Sequence, residues 1–134
     1  MKKLIIVLSV VYLTGCSTIA SIWPKPHDPV MFDQAVSVKL AVDKILHRKP
    51  DLCLSGINHG ANHSINVIYS GTMSAAVEAA IESIPSVGFS LLDYSVEADF
   101  SAARKYARII VEQMLKHPLD KHCVLNVNIP ALPP

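Results

Sequence analysis

A segment rich in glycine, asparagine and serine, SGINHGAN at residues 55–62, carries residue types suited to binding a phosphate or a cation. It follows an apolar run at residues 52–54, and a second polar stretch, YSGT at residues 69–72, precedes a helical pattern. Glycines let backbone N–H groups approach a ligand closely, and a helix start adds unpaired N–H donors. Asn58 and Asn62 add neutral carbonyl oxygens that Mg²⁺ or Mn²⁺ accepts as ligands. The pattern therefore predicts an oxyanion or phosphate site between a strand and a helix.

The elements that would hold this site alternate in type after residue 35, which predicts an α/β fold with a parallel sheet. Helical periodicity and strand-like apolar runs predict six elements: helices 36–48, 72–84 and 100–117, and strands 52–55, 87–92 and 124–128. Ligands of such sheets bind at the carboxyl ends of the strands. The SGINHGAN loop leaves its strand at that end, so position and chemistry agree.

The segment SGINHGAN, with YSGTMSAAVEAA downstream, closely resembles the signature of the SurE family of stationary-phase survival proteins, which are metal-dependent 5′-nucleotidases. The resemblance runs from about residue 38 to residue 134 and implies the central and C-terminal part of a three-layer core. It implies nucleoside monophosphates as substrates, self-association into homo-oligomers and a cytoplasmic location. It further implies a divalent metal ion, Mg²⁺ or Mn²⁺, bound by Asn58, and a phosphate pocket lined by Asn62, Ser70, Gly71 and Thr72.

Two family motifs are missing from this chain. The family opens with a strand ending in Asn-Asp-Asp-Gly, whose two Asp bind the metal and carry the chemistry, but no Asp-Asp pair occurs here. A Gly-Thr-Pro turn before the first helix is replaced by FDQA at residues 32–35. The catalytic residues therefore stay unknown, and we expect impaired 5′-nucleotidase activity. The alternatives are a catalytically inactive, membrane-tethered α/β fragment, a phosphate-binding module, or a structural lipoprotein of the envelope.

The first 16 residues have the three-part plan of a bacterial lipoprotein signal. A basic start, KK, precedes an apolar stretch at residues 4–13, and LTGC at residues 13–16 fits a lipobox. We therefore expect lipidation at Cys16, membrane tethering through that lipid and a cell-envelope location. An uncleaved signal anchor or a buried apolar strand is the alternative. Three prolines mark residues 17–34 as a linker, which leaves residues 35–134 as the domain.

Composition limits the remaining function classes. At 134 residues the chain is one small domain, and its net charge of +1 gives no electrostatic case for nucleic-acid binding. Three cysteines do not make a disulfide framework. Cys53 and Cys123 lie in apolar runs, which predicts buried thiols, with a bridge between them as the alternative.

Other polar residues have simpler interpretations. His59 and His63 have the spacing of zinc ligands on a helix, but their segment has loop composition, so we expect them at the rim of the site. Glu78 and Glu82 share a helix face, which favours a solvated or packing role. Asp93 follows a predicted strand and most simply forms a turn or cap.

Overall fold

Four parallel strands form one sheet in the computed structural model, which describes residues 5–8 and 31–131. Their spatial order follows the chain: β1 (Ile5–Leu8), β2 (Leu52–His59), β3 (Ser86–Leu92) and β4 (Val124–Pro130). Every neighbouring pair is parallel, so all carboxyl ends meet at one edge of the sheet. The predicted α/β class with a parallel sheet is confirmed.

Helices cover both faces of the sheet. They are α1 (Met31–Leu40), which continues into a π-helical turn (Ala41–Ile45), a short α2 (Asn66–Tyr69), α3 (Gly71–Ile81) and α4 (Ser101–Lys116). No helix in the described part of the chain is long and apolar enough to cross a membrane.

Alternating side chains of the strands build two apolar cores. On β2, Leu52 belongs to the core under α4, whereas Cys53 belongs to the core under α1 and α3. In the second core, Ala75 and Ala79 let α3 approach the sheet closely, and Val38 of α1 closes the layer. The arrangement is helix, sheet, helix, which confirms the three-layer prediction.

The N-terminal elements differ from the sequence-based expectations. Residues Ile5–Leu8, within the predicted signal, pair with β2 from Leu52 to Ser55, which is the strand alternative for that apolar stretch. Helix α1 begins at Met31, inside the predicted linker, and its regular part ends at Leu40 because a π-helical turn follows. The predicted lipidation site Cys16 and residues 17–30 of the linker lie outside the described residues.

Candidate functional site

Strand β2 extends further than predicted and takes in the first part of the SGINHGAN segment. It runs to His59, and its register with β3 shifts between Ser55 and Asn58. At the shift Gly56 has a φ of 111°, and a Cβ there would lie 2.3 Å from the carbonyl oxygen of Phe89. Only glycine permits this close approach, so the bulge depends on Gly56, and Asn58 and His59 pair with β3 again beyond it.

Asn58 and Asn62 form a reciprocal amide pair where the chain leaves β2. The Asn62 Nδ2 donates to Asn58 Oδ1 at 2.8 Å, and Asn58 Nδ2 donates to Asn62 Oδ1 at 3.3 Å. Asn58 Nδ2 also donates to the carbonyl oxygens of His59 and Gly60. Asn62 is only 3% exposed, so the segment is a tight turn closed by its own amides.

Strand β4 anchors this turn from the far edge of the sheet. Asn128 Oδ1 accepts from the Asn62 backbone N–H at 2.8 Å and from Ser90 Oγ at 2.9 Å. Asn126 Nδ2 donates to the Asn62 carbonyl oxygen at 2.6 Å, and Asn128 Nδ2 donates to Asn126 Oδ1 at 3.0 Å. The sequence analysis did not place Asn126 or Asn128 in the site. Two asparagines at alternate positions of an otherwise apolar strand were the available signal, because asparagine is depleted in strands.

The second half of the candidate site is the start of α3. Ser70 caps this helix, since its Oγ accepts from the Met73 N–H at 3.1 Å. The N–H groups of Gly71 and Thr72, in the first turn, have no acceptor within the helix. Thr72 as a whole is only 2% exposed, so both its backbone and its hydroxyl lie almost entirely below the surface. The carboxamide of Gln34 lies against Gly71 from α1.

The two halves lie over the same face of the sheet. Thr72 packs on β3 at Gly88, where its Cγ2 lies 3.5 Å from the position that a Cβ would take. Asn58 pairs with Ser90 on the same strand. Gly88 and Ser90 are two residues apart, a rise of about 6.7 Å along a strand. The amide pair and the first turn of α3 therefore lie on the same face of the sheet.

The described residues do not fit a tightly held divalent cation. Asn58 Oδ1 already accepts from Asn62, and no three His, Cys, Asp or Glu side chains cluster within residues 31–131. Mg²⁺ is usually bound through carboxylates, with waters and substrate phosphate completing the shell. Asp93, the acidic residue that ends β3, accepts from the Ser95 N–H at 2.8 Å, which is the expected turn role. A lone amide oxygen is a weak ligand, so these residues alone would not hold the ion tightly.

The histidines also do not form a metal site. The His59 ring meets the Phe100 ring edge to face at a centroid distance of 4.9 Å, and His63 is exposed. Neither belongs to a cluster of metal-ligating side chains in the part of the chain that the structure describes. His59 therefore packs beside the start of α4, and His63 lies on the surface of the turn.

Titratable groups with shifted pKa values lie away from the site. Lys39 of α1 pairs with Glu82 of α3 at 2.8 Å, which lowers the pKa of Glu82 and raises that of Lys39. Glu82 therefore has a packing role. Burial raises the pKa of the Cys53 thiol to about 11. Cys123 is exposed, which corrects the expectation of a buried thiol, and the two cysteines are not bridged.

Comparisons with known proteins agree with the fold and the motif. The family model for Survival protein SurE matches residues 33–134. The 5′-nucleotidase SurE of Christiangramia forsetii is 67% identical over 71% of this chain and 36% of its own length. That of Chlorobium phaeobacteroides is 49% identical over 72% of this chain and 37% of its own length. The crystal structure of the SurE protein from Aquifex aeolicus has a TM-score of 0.68 and 41% identity, covering 74% of this chain and 40% of that one.

Fold and site together define a parallel α/β protein with a polar turn at the carboxyl end of β2. The chain belongs to the SurE family. The matched part spans 36–37% of the length of these curated relatives.

Proposed function

We propose that this chain is the phosphate-binding part of a 5′-nucleotidase and that its ligand is the phosphate group of a nucleoside monophosphate. The observation that carries the proposal is that the Asn58–Asn62 pair and the capped start of α3 lie on the same face of the sheet. The names of its relatives, 5′-nucleotidase SurE, support the substrate class.

The chemistry available at these residues suits an anion. The N–H groups of Gly71 and Thr72 point out of the first helical turn, and the Ser70 hydroxyl can donate because only its oxygen is used in the cap. A helix N-terminus stabilises an anion by about 0.3–1 kcal/mol, and more when the site is partly buried. Asn58 and Asn62 close the opposite side with neutral amides, which do not repel phosphate.

Hydrolysis demands more than this binding. A phosphoryl transfer of this kind needs a metal ion to stabilise charge and a base to activate water. The resemblance implies Mg²⁺ or Mn²⁺ at Asn58, but the carboxylate partners of the family motif are missing from the sequence. We propose that this chain alone binds phosphate and hydrolyses nucleoside monophosphates at a rate near background.

Amide NMR during a titration with inorganic phosphate tests the binding proposal. We expect chemical-shift changes confined to residues 58–62 and 70–73. Residues 120–123 precede β4, at the amino ends of the strands and away from the candidate site, and serve as the internal control. Shifts spread evenly over both regions, or none at residues 70–73, would contradict the assignment of this site.

A hydrolysis assay with Mn²⁺ tests the catalytic proposal. Turnover of a nucleoside monophosphate by the purified chain should stay near background. It should rise when an Asp-Asp loop is restored after β1, whose pairing ends with Leu8 opposite Ser55 on β2. Robust metal-dependent turnover by the unmodified chain would contradict the inactive interpretation and would make Asp93 the first candidate for a substitute carboxylate.

We also propose that the leader tethers the chain to a membrane of the cell envelope through lipid on Cys16. The support is the basic start, the short apolar stretch and the LTGC motif. Cleavage before Cys16 removes Ile5–Leu8, so the lipidated form and the sheet containing β1 are different molecular forms.

A further inference from the structure

Strand β4 contains two asparagines that its position in the fold does not explain. Leu125, Val127 and Ile129 contact the core under α4, so the alternating residues Asn126 and Asn128 face the α1 and α3 side. Strands of parallel sheets are usually apolar on both faces because helices cover both. Asparagine is also depleted in strands. Two polar side chains in succession on this face therefore indicate that both form hydrogen bonds with a specific partner.

That partner is a single residue, Asn62, which lies 64 and 66 positions earlier in the chain. Asn128 Oδ1 accepts from its N–H, and Asn126 Nδ2 donates to its carbonyl oxygen. These two groups flank the α carbon of Asn62, so anchoring both restricts its backbone and sets the direction of its side chain. The side chain of Asn62 then sets the direction of Asn58 through their reciprocal pair.

Asn126 and Asn128 are themselves held in place by hydrogen bonds. Asn128 Nδ2 donates to Asn126 Oδ1, and the fully buried Ser90 donates its hydroxyl to Asn128 Oδ1. Every side-chain amide group in this chain of contacts has a partner, and such satisfied polar networks specify one arrangement. The network connects β3 and β4 to the turn after β2, which spans three neighbouring strands.

We propose that Asn126 and Asn128 are positioning residues that hold Asn62, and through it Asn58, opposite the first turn of α3. The inference rests on the proposed phosphate-binding function. Neither residue needs to touch phosphate. Their effect is to pre-order the turn, so that a ligand does not lose affinity in ordering it.

The test compares two alanine variants of β4 in the full chain, Asn128→Ala and Val127→Ala. Val127 is partly buried and packs toward α4, on the opposite face, so its truncation weakens the core without contacting the turn. We measure the thermal midpoint, the dissociation constant for inorganic phosphate, and hydrogen exchange at the Asn62 amide.

For Asn128→Ala we expect phosphate affinity to fall about tenfold, because the hydrogen bond to the Asn62 N–H and the one that holds Asn126 are both lost. The Asn62 amide should also exchange at least about tenfold faster, since its acceptor is gone. Val127→Ala should lower the thermal midpoint and leave both other quantities unchanged. A merely structural role for Asn128 predicts that the two variants behave alike, and that outcome would overturn the proposal.

The exchange measurement separates this inference from the proposed function. If the wild-type chain binds no phosphate, the proposed function fails. Faster exchange at the Asn62 amide in Asn128→Ala would then still support the positioning role. Unchanged exchange would overturn it. If the chain binds phosphate and Asn128→Ala binds it within twofold of wild type, the positioning role is wrong.

A milder variant covers the case in which Asn128→Ala does not fold. Ser90→Ala keeps both contacts to Asn62 and removes only the hydroxyl that holds Asn128. We expect phosphate affinity to fall about two- to threefold, as one weak hydrogen bond predicts. Affinity equal to wild type in this variant would then overturn the proposal.

Discussion

Replacing Gly56 by alanine should destabilise the sheet far more than the same change at Gly88 on the neighbouring strand. At Gly56 the added Cβ would lie 2.3 Å from the Phe89 carbonyl oxygen, and real Cβ atoms essentially never come within 3.0 Å of a neighbour. Strands β2 and β3 would have to part locally by at least about 0.7 Å, the difference between these distances. At Gly88 the nearest atom is the Met73 Sδ, at 2.5 Å, which belongs to a flexible side chain.

The magnitudes follow from the backbone and the clash. A non-glycine residue at a φ of 111° costs about 1–3 kcal/mol, and overpacking adds about 1–3 kcal/mol, so Gly56→Ala should cost about 2–6 kcal/mol. Gly88→Ala has only the packing cost, offset by about 0.4–1 kcal/mol from a less flexible unfolded chain. Because a domain is stable by about 5–15 kcal/mol, the first variant loses a large share of its stability.

Urea unfolding followed by far-UV circular dichroism measures both variants against wild type. The midpoint should fall strongly for Gly56→Ala and weakly for Gly88→Ala, with similar m-values. Equal midpoints for the two variants would refute the reasoning, because they would mean that β2 and β3 do not approach each other this closely at the bulge.

Three further predictions concern side chains outside the site. Iodoacetamide at pH 8 should label the exposed Cys123 and spare Cys53, whose raised pKa of about 11 leaves roughly 0.1% thiolate; equal labelling in peptide maps would contradict its burial. The Lys39–Glu82 pair should stabilise the fold above pH 4.5, the ordinary pKa of the glutamate, and lose its effect as pH falls through the lowered pKa of Glu82. Lys39→Gln should therefore lower stability at pH 7 and progressively less as pH falls below 4.5, and a loss that does not shrink with pH would count against the pair. Cys16→Ala should release the protein from membranes or block its processing in a diderm bacterium, as fractionation and intact mass would show; an unmodified leader on a soluble wild-type chain would contradict lipidation.

Periodicity predicted most of the regular structure because the signal is local. Helix α4 and strands β3 and β4 lie within two residues of their predicted bounds, since apolar spacing and flanking prolines mark both ends. Strand β1 could not be assigned, because a short apolar stretch after two lysines has the same composition in a signal peptide and in a buried strand. The four-residue helix α2 is too short to show a period.

The sequence suggested the candidate residues of the site but not the contacts that connect them. Asn58, Asn62 and Ser70–Thr72 follow from motif composition and resemblance, and the structure places them over one face of the sheet. The extension of β2 to His59 depends on how β3 accommodates a bulge at Gly56, which no pattern within β2 reveals. The anchors of Asn62 lie more than 60 residues away on β4, and such long-range pairings leave no local periodicity.

Phosphate binding by this chain should be independent of divalent metal, which follows from the same residues. In a site with two carboxylates, each negative charge about 5 Å from a phosphate oxygen repels that oxygen by about 3 kcal/mol at an effective dielectric constant of about 20. A metal ion is therefore needed there to neutralise the carboxylates. Here the residues proposed to bind phosphate offer amides, a hydroxyl and helix N–H groups, which attract an anion without a cation. The phosphate dissociation constant should therefore be the same in EDTA and in Mn²⁺, and restoring an Asp-Asp loop after β1 should make binding weaker in EDTA and metal-dependent. Loss of phosphate binding in EDTA by the unmodified chain would refute this argument. It would mean that the chain holds a metal ion through a ligand other than these amides.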